Sequence, residues 1–428
     1  VHSFHYREGE LFCEEVALER AASEFGTPLY VYSAGTILDH YRRLDAALAP
    51  LDHLICYAVK ANSNGAILKL LADAGAGFDI VSGGELFRVL KTGGAAAKCT
   101  FAGVGKSQEE IEYALDEGVL SFNVESEAEL ERIDRIARDK GVKAPIALRV
   151  NPDVDAHTHH YVSTGRSENK FGIALDRVAA VYEQAARLPN ILIRGVQMHI
   201  GSQITDAAPF AEAIAKVAPL IHELKQRYAI EFFSVGGGMG IVYKRALESG
   251  SGKWWHEHDG EASAFSVADY AAAIVPPLRE LDLRVLLEPG RFLVGNAGAL
   301  LTRVRYLKQA AQKKFVIVDA GMNDLIRPAL YQSYHEIVPV REPAGPKREP
   351  VDVVGPVCES GDFFAQDREL PPVSEGDLLA LMSAGAYGFA MASNYNSRPL
   401  PAEVLVNDER YALIRRRQAM KDLVRDEC

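Results

Sequence analysis

Between residues 53 and 290 the chain alternates short apolar runs with longer stretches whose apolar residues recur at helical spacing, the pattern of βα units around a parallel sheet. Eight runs read as strands: 53–60 (HLICYAVK), 76–81 (AGFDIV), 99–104 (CTFAGV), 120–124 (LSFNV), 146–150 (IALRV), 193–200 (IRGVQMHI), 232–236 (FFSVG) and 284–288 (RVLLE). The first is almost continuously apolar through Val59, as a strand covered on both faces must be, and it ends on Lys60. Among the intervening helices, 126–139 opens with Ser126 and Glu129 in capping-box spacing and carries Ala128, Leu130, Ile133 and Ile136 at helical spacings. Eight βα repeats in about 240 residues match a TIM barrel, whose usual size is ~250 residues.

Beyond Arg291 the helical rhythm fades. Short β-rich runs at 300–307, 315–319, 378–382 and 402–406 alternate with turn signals such as Pro371-Pro372 and Glu375-Gly376-Asp377. The expected fold is therefore α/β, with a (β/α)8 TIM barrel over 26–291. A mostly antiparallel β-barrel or β-sandwich domain follows over 292–428, to which residues 1–25 add a strand or helix. Two excursions break the barrel rhythm, 151–173 with His157, His159 and His160, and 241–264 with Trp254 and Trp255. Loops of that length inside a compact domain are functional lids or disordered segments.

Composition removes several function classes. An apolar fraction of 48% and a charged fraction of 25% are those of an ordinary soluble globular protein. The net charge of −11 lacks the basic bias expected of a nucleic-acid or anionic-membrane partner. No apolar run approaches the ~18 residues of a membrane span. Residues 1–10 do not read as a secretory signal, so a cytoplasmic location is expected. Cys13, Cys56, Cys99, Cys358 and Cys428 are odd in number and form no C-x-x-C pair, which argues against a disulfide framework or a zinc ribbon. The histidines at 157, 159, 160, 256 and 258 match no standard zinc set, and no metal is expected.

The C-terminal ends of the eight runs are where a barrel places its chemistry. They carry Lys60, Asp79 with Ser82, Gly105-Lys106, Asn123 to Glu125, Arg149 to Asn151, His199, Gly236-Gly237-Gly238 and Glu288-Pro289-Gly290-Arg291. Core packing does not account for so polar a set, because each unpaired buried charge would cost several kcal/mol. A lysine at a strand end either snorkels to solvent or serves as a Schiff-base amine. Glycines let backbone N–H groups approach a phosphate closely, and barrels rest phosphates on the loops after strands 7 and 8, which hold both glycine clusters here. The combination points to a pyridoxal phosphate site.

The strings YAVKAN at 57–62, FDIVSGGE at 78–85, TGRSENKFGI at 164–173, MHIGSQ at 198–203, GGG at 236–238, EPGR at 288–291, RPALY at 327–331, GPVCESGD at 355–362 and GAYG at 385–388 carry a resemblance over about residues 25–415. In that order they resemble the fold type III pyridoxal phosphate decarboxylases, and among them the diaminopimelate decarboxylase family. The resemblance implies a carboxy-lyase that converts meso-2,6-diaminopimelate to L-lysine and carbon dioxide, the last step of lysine biosynthesis, with pyridoxal 5'-phosphate as cofactor. Carried over position by position, it makes Lys60 the amine that bonds the cofactor, His199 a plate on one face of its ring, and Glu288 the anion at the ring nitrogen. Asp79, Arg149, Ser202, Gly236, Gly237, Gly238, Gly290, Arg291 and Tyr387 are implied as further cofactor contacts. Arg291, Arg327, Tyr331, Glu359 and Tyr387 are implied in substrate binding, with the arginines meeting the distal carboxylate and Glu359 the distal ammonium. Cys358 is implied as the proton donor to Cα. In the family the Cys358 loop enters the partner subunit's site, which implies a homodimer with two shared sites. His160 stands where the family often has lysine.

Two other motifs fail on inspection. Gly105-Lys106-Ser107 lacks the glycine that a P-loop needs at position 100, where Thr100 stands, and Gly236 to Gly240 is not G-x-G-x-x-G because position 241 is Ile. A decarboxylase for ornithine, arginine or a carboxylated polyamine is the alternative within the same fold; Arg327, Tyr331 and Glu359 speak against it, since a substrate without a distal carboxylate has no use for that arginine. A catalytically silent regulatory homologue is the alternative of another class, and the joint presence of Lys60, Glu288 and Cys358 opposes it.

Overall fold

The computed structural model describes residues 2–155, 170–251, 254 and 264–428; most of the first excursion, including His157, His159, His160 and positions 164–169, and part of the second, including Trp255, His256 and His258, lie outside these residues. The described chain divides into two compact units, one built from His40–Gly240 with Ala264–Phe292 and the other from Val1–Asp39, Ile241–Ser263 and Leu293–Cys428.

The first of these is a closed barrel of eight parallel strands: His53–Ala58, Gly77–Ile80, Cys99–Phe101, Ser121–Val124, Ala144–Asn151, Ile191–Met198, Phe232–Ser234 and Arg284–Leu287. Each pairs with the next in chain order, and the eighth returns to the first through Val285↔His53, Leu286↔Leu54 and Leu287↔Ile55. All eight runs expected from the apolar pattern are strands. Most end one to three residues earlier than the pattern suggested, because the chain must turn to bring polar residues over the barrel mouth. The correction matters most for Lys60: the first strand stops at Ala58, and Val59–Ala61 forms a single turn of 3-10 helix that carries the lysine. One buried cluster of the barrel unit packs Leu54, Cys56, Ala147, Phe232 and Leu286 together from four of its strands.

Helices on the outside obey their local signals. Ser107 and Glu110 form a reciprocal capping box on Gln108–Glu117. Ser126 caps Glu127–Lys140 by accepting from the Glu129 N–H, but the second half of the expected box is absent. The Glu129 carboxylate is diverted to Lys106 Nζ at 2.6 Å and to the Glu125 N–H at 2.8 Å. A buried ammonium that donates to Gly103 O, Asn123 O and Glu129 is a stronger claim on that carboxylate than a helix end.

The other unit centres on a nine-stranded sheet. Its main path runs Phe363–Leu370, Glu349–Val354, Lys314–Val318, Gly298–Gln309, Leu29–Ser33, Ala402–Asn407 and Arg410–Arg415, with Leu378–Leu381 and Ile337–Pro339 joined to it. Pairing is antiparallel except between Lys314–Val318 and Glu349–Val354 and between Leu29–Ser33 and Ala402–Asn407. The expected β-rich domain is thus present, with a different N-terminal boundary. Leu29–Ser33, placed in the barrel by the sequence reading, pairs instead with Gly298–Leu301 and Ala402–Val406. All five of its side chains are buried, so it needs a partner layer on each face. Phe4–Arg7, Glu10–Cys13 and Val16–Ala17 make a separate three-stranded sheet whose Phe4, Leu11 and Cys13 join the same apolar cluster as Leu29, Val31, Leu301 and Val404.

Cys13, Cys56 and Cys99 are buried and free, while Cys358 and Cys428 are free and exposed. Among the described residues no helix is long and apolar enough to cross a membrane, and no group of acidic, histidine and cysteine side chains could hold a metal ion.

Candidate active site

Lys60, Asp79, Glu125, Arg149, His199, Ser202, Gly236 to Gly238, Glu288, Gly290 and Arg291 lie at the C-terminal ends of the barrel strands or on the segments that follow them. Lys60 Nζ lies 3.4 Å from Asp79 Oδ2, the amine side chain being 41% exposed and the acid 1%. Burial pushes the Asp79 carboxyl above its ordinary range and the Lys60 ammonium pulls it back. Its neighbour Ser82 supplies the helix cap that Asp79 would otherwise have been free to serve, accepting from the Glu85 N–H at 3.1 Å.

Glu288 follows the eighth strand and is almost wholly enclosed. Three side chains donate to its carboxylate: Ser234 Oγ at 2.8 Å, Gln197 Nε2 at 2.9 Å and Asn123 Nδ2 at 3.3 Å. Burial first, and the Asp79 charge next, push its acid form up to about 7 against those donors. Asn123 and Gln197 each turn their NH2 toward Glu288 and leave a buried amide oxygen with no hydrogen-bond partner; one Asp79 carboxylate oxygen is in the same condition. Asn123 was among the polar strand ends but was given no role, and Gln197 and Ser234 did not figure among the expected site residues. The signal was available: each is a polar residue at an inward position of an otherwise apolar strand, Gln197 two residues before His199 and Ser234 two before Gly236.

His199 accepts a hydrogen bond at Nδ1 from the Gly237 N–H, 3.2 Å away. Desolvation, followed by the nearby Arg149 and Lys60 charges, holds its imidazole well below the usual histidine range, so the ring is neutral with its proton on Nε2. The glycine cluster is required by close packing. Gly236 and Gly238 have φ of +73° and +112°, and a Cβ on Gly236, Gly237 or Gly238 would run into the backbone carbonyls of Met198, Glu288 and Gly201 respectively. At Gly290 a Cβ would stand 3.0 Å from that of Ala61 and 3.1 Å from that of Ala58.

Arg291 is buried and donates to Ser202 Oγ at 3.0 Å. Arg149 pairs with Glu125 at 3.0 Å and lies over the Phe171 ring at 4.7 Å. Glu125 also accepts from the Gly172 N–H at 2.8 Å, which ties down the chain just after the undescribed 156–169 stretch. The barrel mouth thus presents three cationic side chains around a patch of buried carboxylate and amide oxygens. A heteroaromatic group with an anionic phosphate at one end and a protonated ring nitrogen at the other matches both charges, and the orphaned oxygens match its donors.

The remaining expected residues belong to the other unit. Arg327 and Tyr331 begin and end a short helix, Arg327–Tyr331. Arg327 is buried and is held by Tyr243, His335 and Ser333. Cys358 and Glu359 are exposed at the tip of a loop whose shape is set by Asp362, which accepts from the Val357 and Met322 N–H groups, both at 2.6 Å. The Cys358 N–H donates to Asn396 Oδ1 at 2.8 Å. Tyr387 has φ of +56°, the left-handed region that costs a bulky residue strain, and lies in the Gly385–Gly388 turn.

Comparison with known proteins adds an independent line. Residues 34–295 match the model of the pyridoxal-dependent decarboxylase family, pyridoxal binding domain. A diaminopimelate decarboxylase from Pseudomonas aeruginosa is 52% identical over 423 residues, covering 98% of this chain and 97% of that protein. One from Vibrio cholerae is 48% identical at the same coverage. Among solved structures, a diaminopimelate decarboxylase from Helicobacter pylori complexed with L-lysine is 42% identical, with a TM-score of 0.88 over 95% of this chain and 98% of that one.

Proposed function

The chain belongs to the pyridoxal-dependent decarboxylases, and within them to the diaminopimelate decarboxylase family, and from that premise we propose how its residues divide the work. The reaction is decarboxylation of meso-2,6-diaminopimelate to L-lysine and carbon dioxide. The substrate has one D and one L centre and the product is the L-amino acid, so carbon dioxide leaves the D centre and the distal L end is retained. Pyridoxal 5'-phosphate, when bound, supplies an electron sink for the pair left on Cα as the carbon–carbon bond breaks.

The observation that carries the reading is the buried Glu288 carboxyl group, which accepts from three donors beside the seam where the eighth strand pairs with the first, the strand that leads to Lys60. An anion fixed there keeps a facing ring nitrogen protonated. Asp79 holds the Lys60 amine in place before it bonds the cofactor. The neutral His199 offers a flat apolar face without adding a competing positive charge. Arg149, Ser202, Gly236 to Gly238, Gly290, Arg291 and Tyr387 hold the phosphate and orient the ring. Arg291, Arg327, Tyr331 and Tyr387 hold the substrate, with Arg327 on the distal carboxylate and Glu359 on the distal ammonium. The Cys358 thiol gives the proton that replaces carbon dioxide on Cα.

Exposure of Cys358 and Glu359 on a loop tip suits delivery into a partner subunit, and the reading includes a homodimer with shared sites, acting in the cytoplasm. The test is an assay with meso-diaminopimelate beside ornithine and arginine, following carbon dioxide and the amine product. Release of L-lysine from diaminopimelate with no turnover of the other two is expected. Preferential turnover of ornithine or arginine would overturn the substrate assignment.

A further inference from the structure

Arg327 is 5% exposed, and its guanidinium donates to Tyr243, His335 and Ser333. One terminal nitrogen donates to Tyr243 Oη at 2.8 Å and to His335 Nε2 at 3.1 Å, and the other to Ser333 Oγ at 3.4 Å. A guanidinium only donates, so Nε2 of His335 must present its lone pair and the ring proton sits on Nδ1. Nδ1 is 2.9 Å from the Met382 carbonyl, which accepts that proton. The imidazole is fully buried and meets the Tyr243 ring edge-on, 5.3 Å between centroids at 82°, while the guanidinium lies 4.9 Å above that same ring.

Tyr243 stands at the start of the excursion to which sequence reading assigned no role. The residues on either side of Tyr243 are tied to the rest of this unit. The Val242 carbonyl accepts from Asn296 Nδ2 at 2.9 Å and Ser383 Oγ at 3.3 Å, and the Leu247 N–H donates to Glu336 Oε2 at 2.8 Å.

We propose that Tyr243 and His335 are positioning residues that fix the plane of the Arg327 fork, and that they thereby set the preference for a ligand end bearing a carboxylate. The proposal rests on the reading of Arg327 as the distal-carboxylate partner. A planar guanidinium meets a carboxylate with two parallel bonds only when its plane already faces the ligand. Pre-orientation also removes an ordering cost from each binding event.

The probes are L-lysine, which keeps the distal carboxylate, and cadaverine, the same chain without it, as competitors of diaminopimelate on the holoenzyme. Tyr243→Phe, which deletes one oxygen, and His335→Leu should each weaken L-lysine by roughly tenfold or more while cadaverine moves less than about twofold. KM for diaminopimelate should rise with the lysine constant, and kcat should move much less. His335→Gln, whose amide oxygen can take the place of Nε2, should restore most of the loss. Tyr243→Phe carries the test alone if His335→Leu does not fold. Arg327→Ala, run in parallel, separates the two claims. If it weakens both probes equally, the carboxylate reading of Arg327 fails; if it discriminates between them but Tyr243→Phe does not, the positioning proposal fails and that reading stands.

Discussion

The Gly237 amide donates to Nδ1 of His199 across 3.2 Å, and this bond sets the tautomer of a ring that burial and the nearby Arg149 and Lys60 charges keep neutral. Protonating Nδ1 would set two donors against each other in a site already facing Arg149 and Lys60. The consequence for stability follows from linkage. The folded value lies well below the ordinary 6.5, so in the interval between them the unfolded chain binds a proton that the folded chain refuses. The His199 contribution to stability should therefore rise with pH up to about 6.5 and level off above it. Thermal unfolding of the cofactor-free protein from about pH 5 to 8, compared between the parent and a His199 variant, separates it from the opposing Glu288 contribution. His199→Gln should flatten the acid side of the curve, and an unchanged slope would remove His199 as its source.

Glu288 shows the opposite sign. Its acid form persists to about 7 in the fold against an ordinary 4.5, so the folded chain holds the extra proton and stability falls as pH rises through that window. Glu288→Gln should remove the fall and leave the cofactor-free protein more stable than the parent at pH about 8. The new amide can donate to the orphaned oxygen of Asn123 or Gln197. Turnover at saturating cofactor should nevertheless drop by roughly a hundredfold or more, because a neutral amide no longer holds the ring nitrogen protonated. Undiminished turnover would rule out that role.

Lys60 is expected to be the point of covalent attachment. Borohydride treatment of the yellow holoprotein, followed by peptide mapping, should place a stable adduct on Lys60. An adduct on Lys106, Lys170 or any other lysine would refute the assignment.

Lys106 makes a structural prediction. Its side chain is 0% exposed and its Nζ is matched to two carbonyls and to Glu129. Lys106→Met should cost about 3–5 kcal/mol in denaturant unfolding, since it strands a buried carboxylate. Adding Glu129→Gln should recover part of that loss.

Shared sites make a quantitative prediction. Inactive Lys60→Ala and inactive Cys358→Ala subunits, mixed and allowed to exchange, should regain about a quarter of wild-type activity, because half of the dimers are mixed and each mixed dimer has one intact site of two. Exchange demonstrated by a tag pull-down, with no activity regained, would place each site within one chain.

The barrel was legible because parallel strands buried on both faces leave continuous apolar runs that no other element imitates at that length, and all eight runs became strands. The second unit was read less fully. Phe363–Leu370 carries Gln366, Asp367 and Arg368 in mid-strand, and Leu29–Ser33 gains its partners from residues some 270 and 370 positions away, so neither can be assigned by local pattern. The same limit applied to the site. Residues that touch chemistry announced themselves in dense polar strings, whereas those that hold them, such as Gln197, Ser234, Tyr243 and His335, occur singly in apolar surroundings and are recognised only when the fold supplies their partners.

The seam between the first and eighth barrel strands has a consequence for the chain's history. Lys60 and Glu288 are made neighbours by Leu287↔Ile55 and by the Ala58 N–H, which donates to the Pro289 carbonyl at 3.0 Å. Their separation along the chain is nearly the whole barrel. A polypeptide still emerging from the ribosome, or clipped before residue 288, therefore has the lysine but nothing across from it. Competence to retain the cofactor arrives in one step, when the last strand closes the ring, and so it reports on completion of the barrel rather than on its progress.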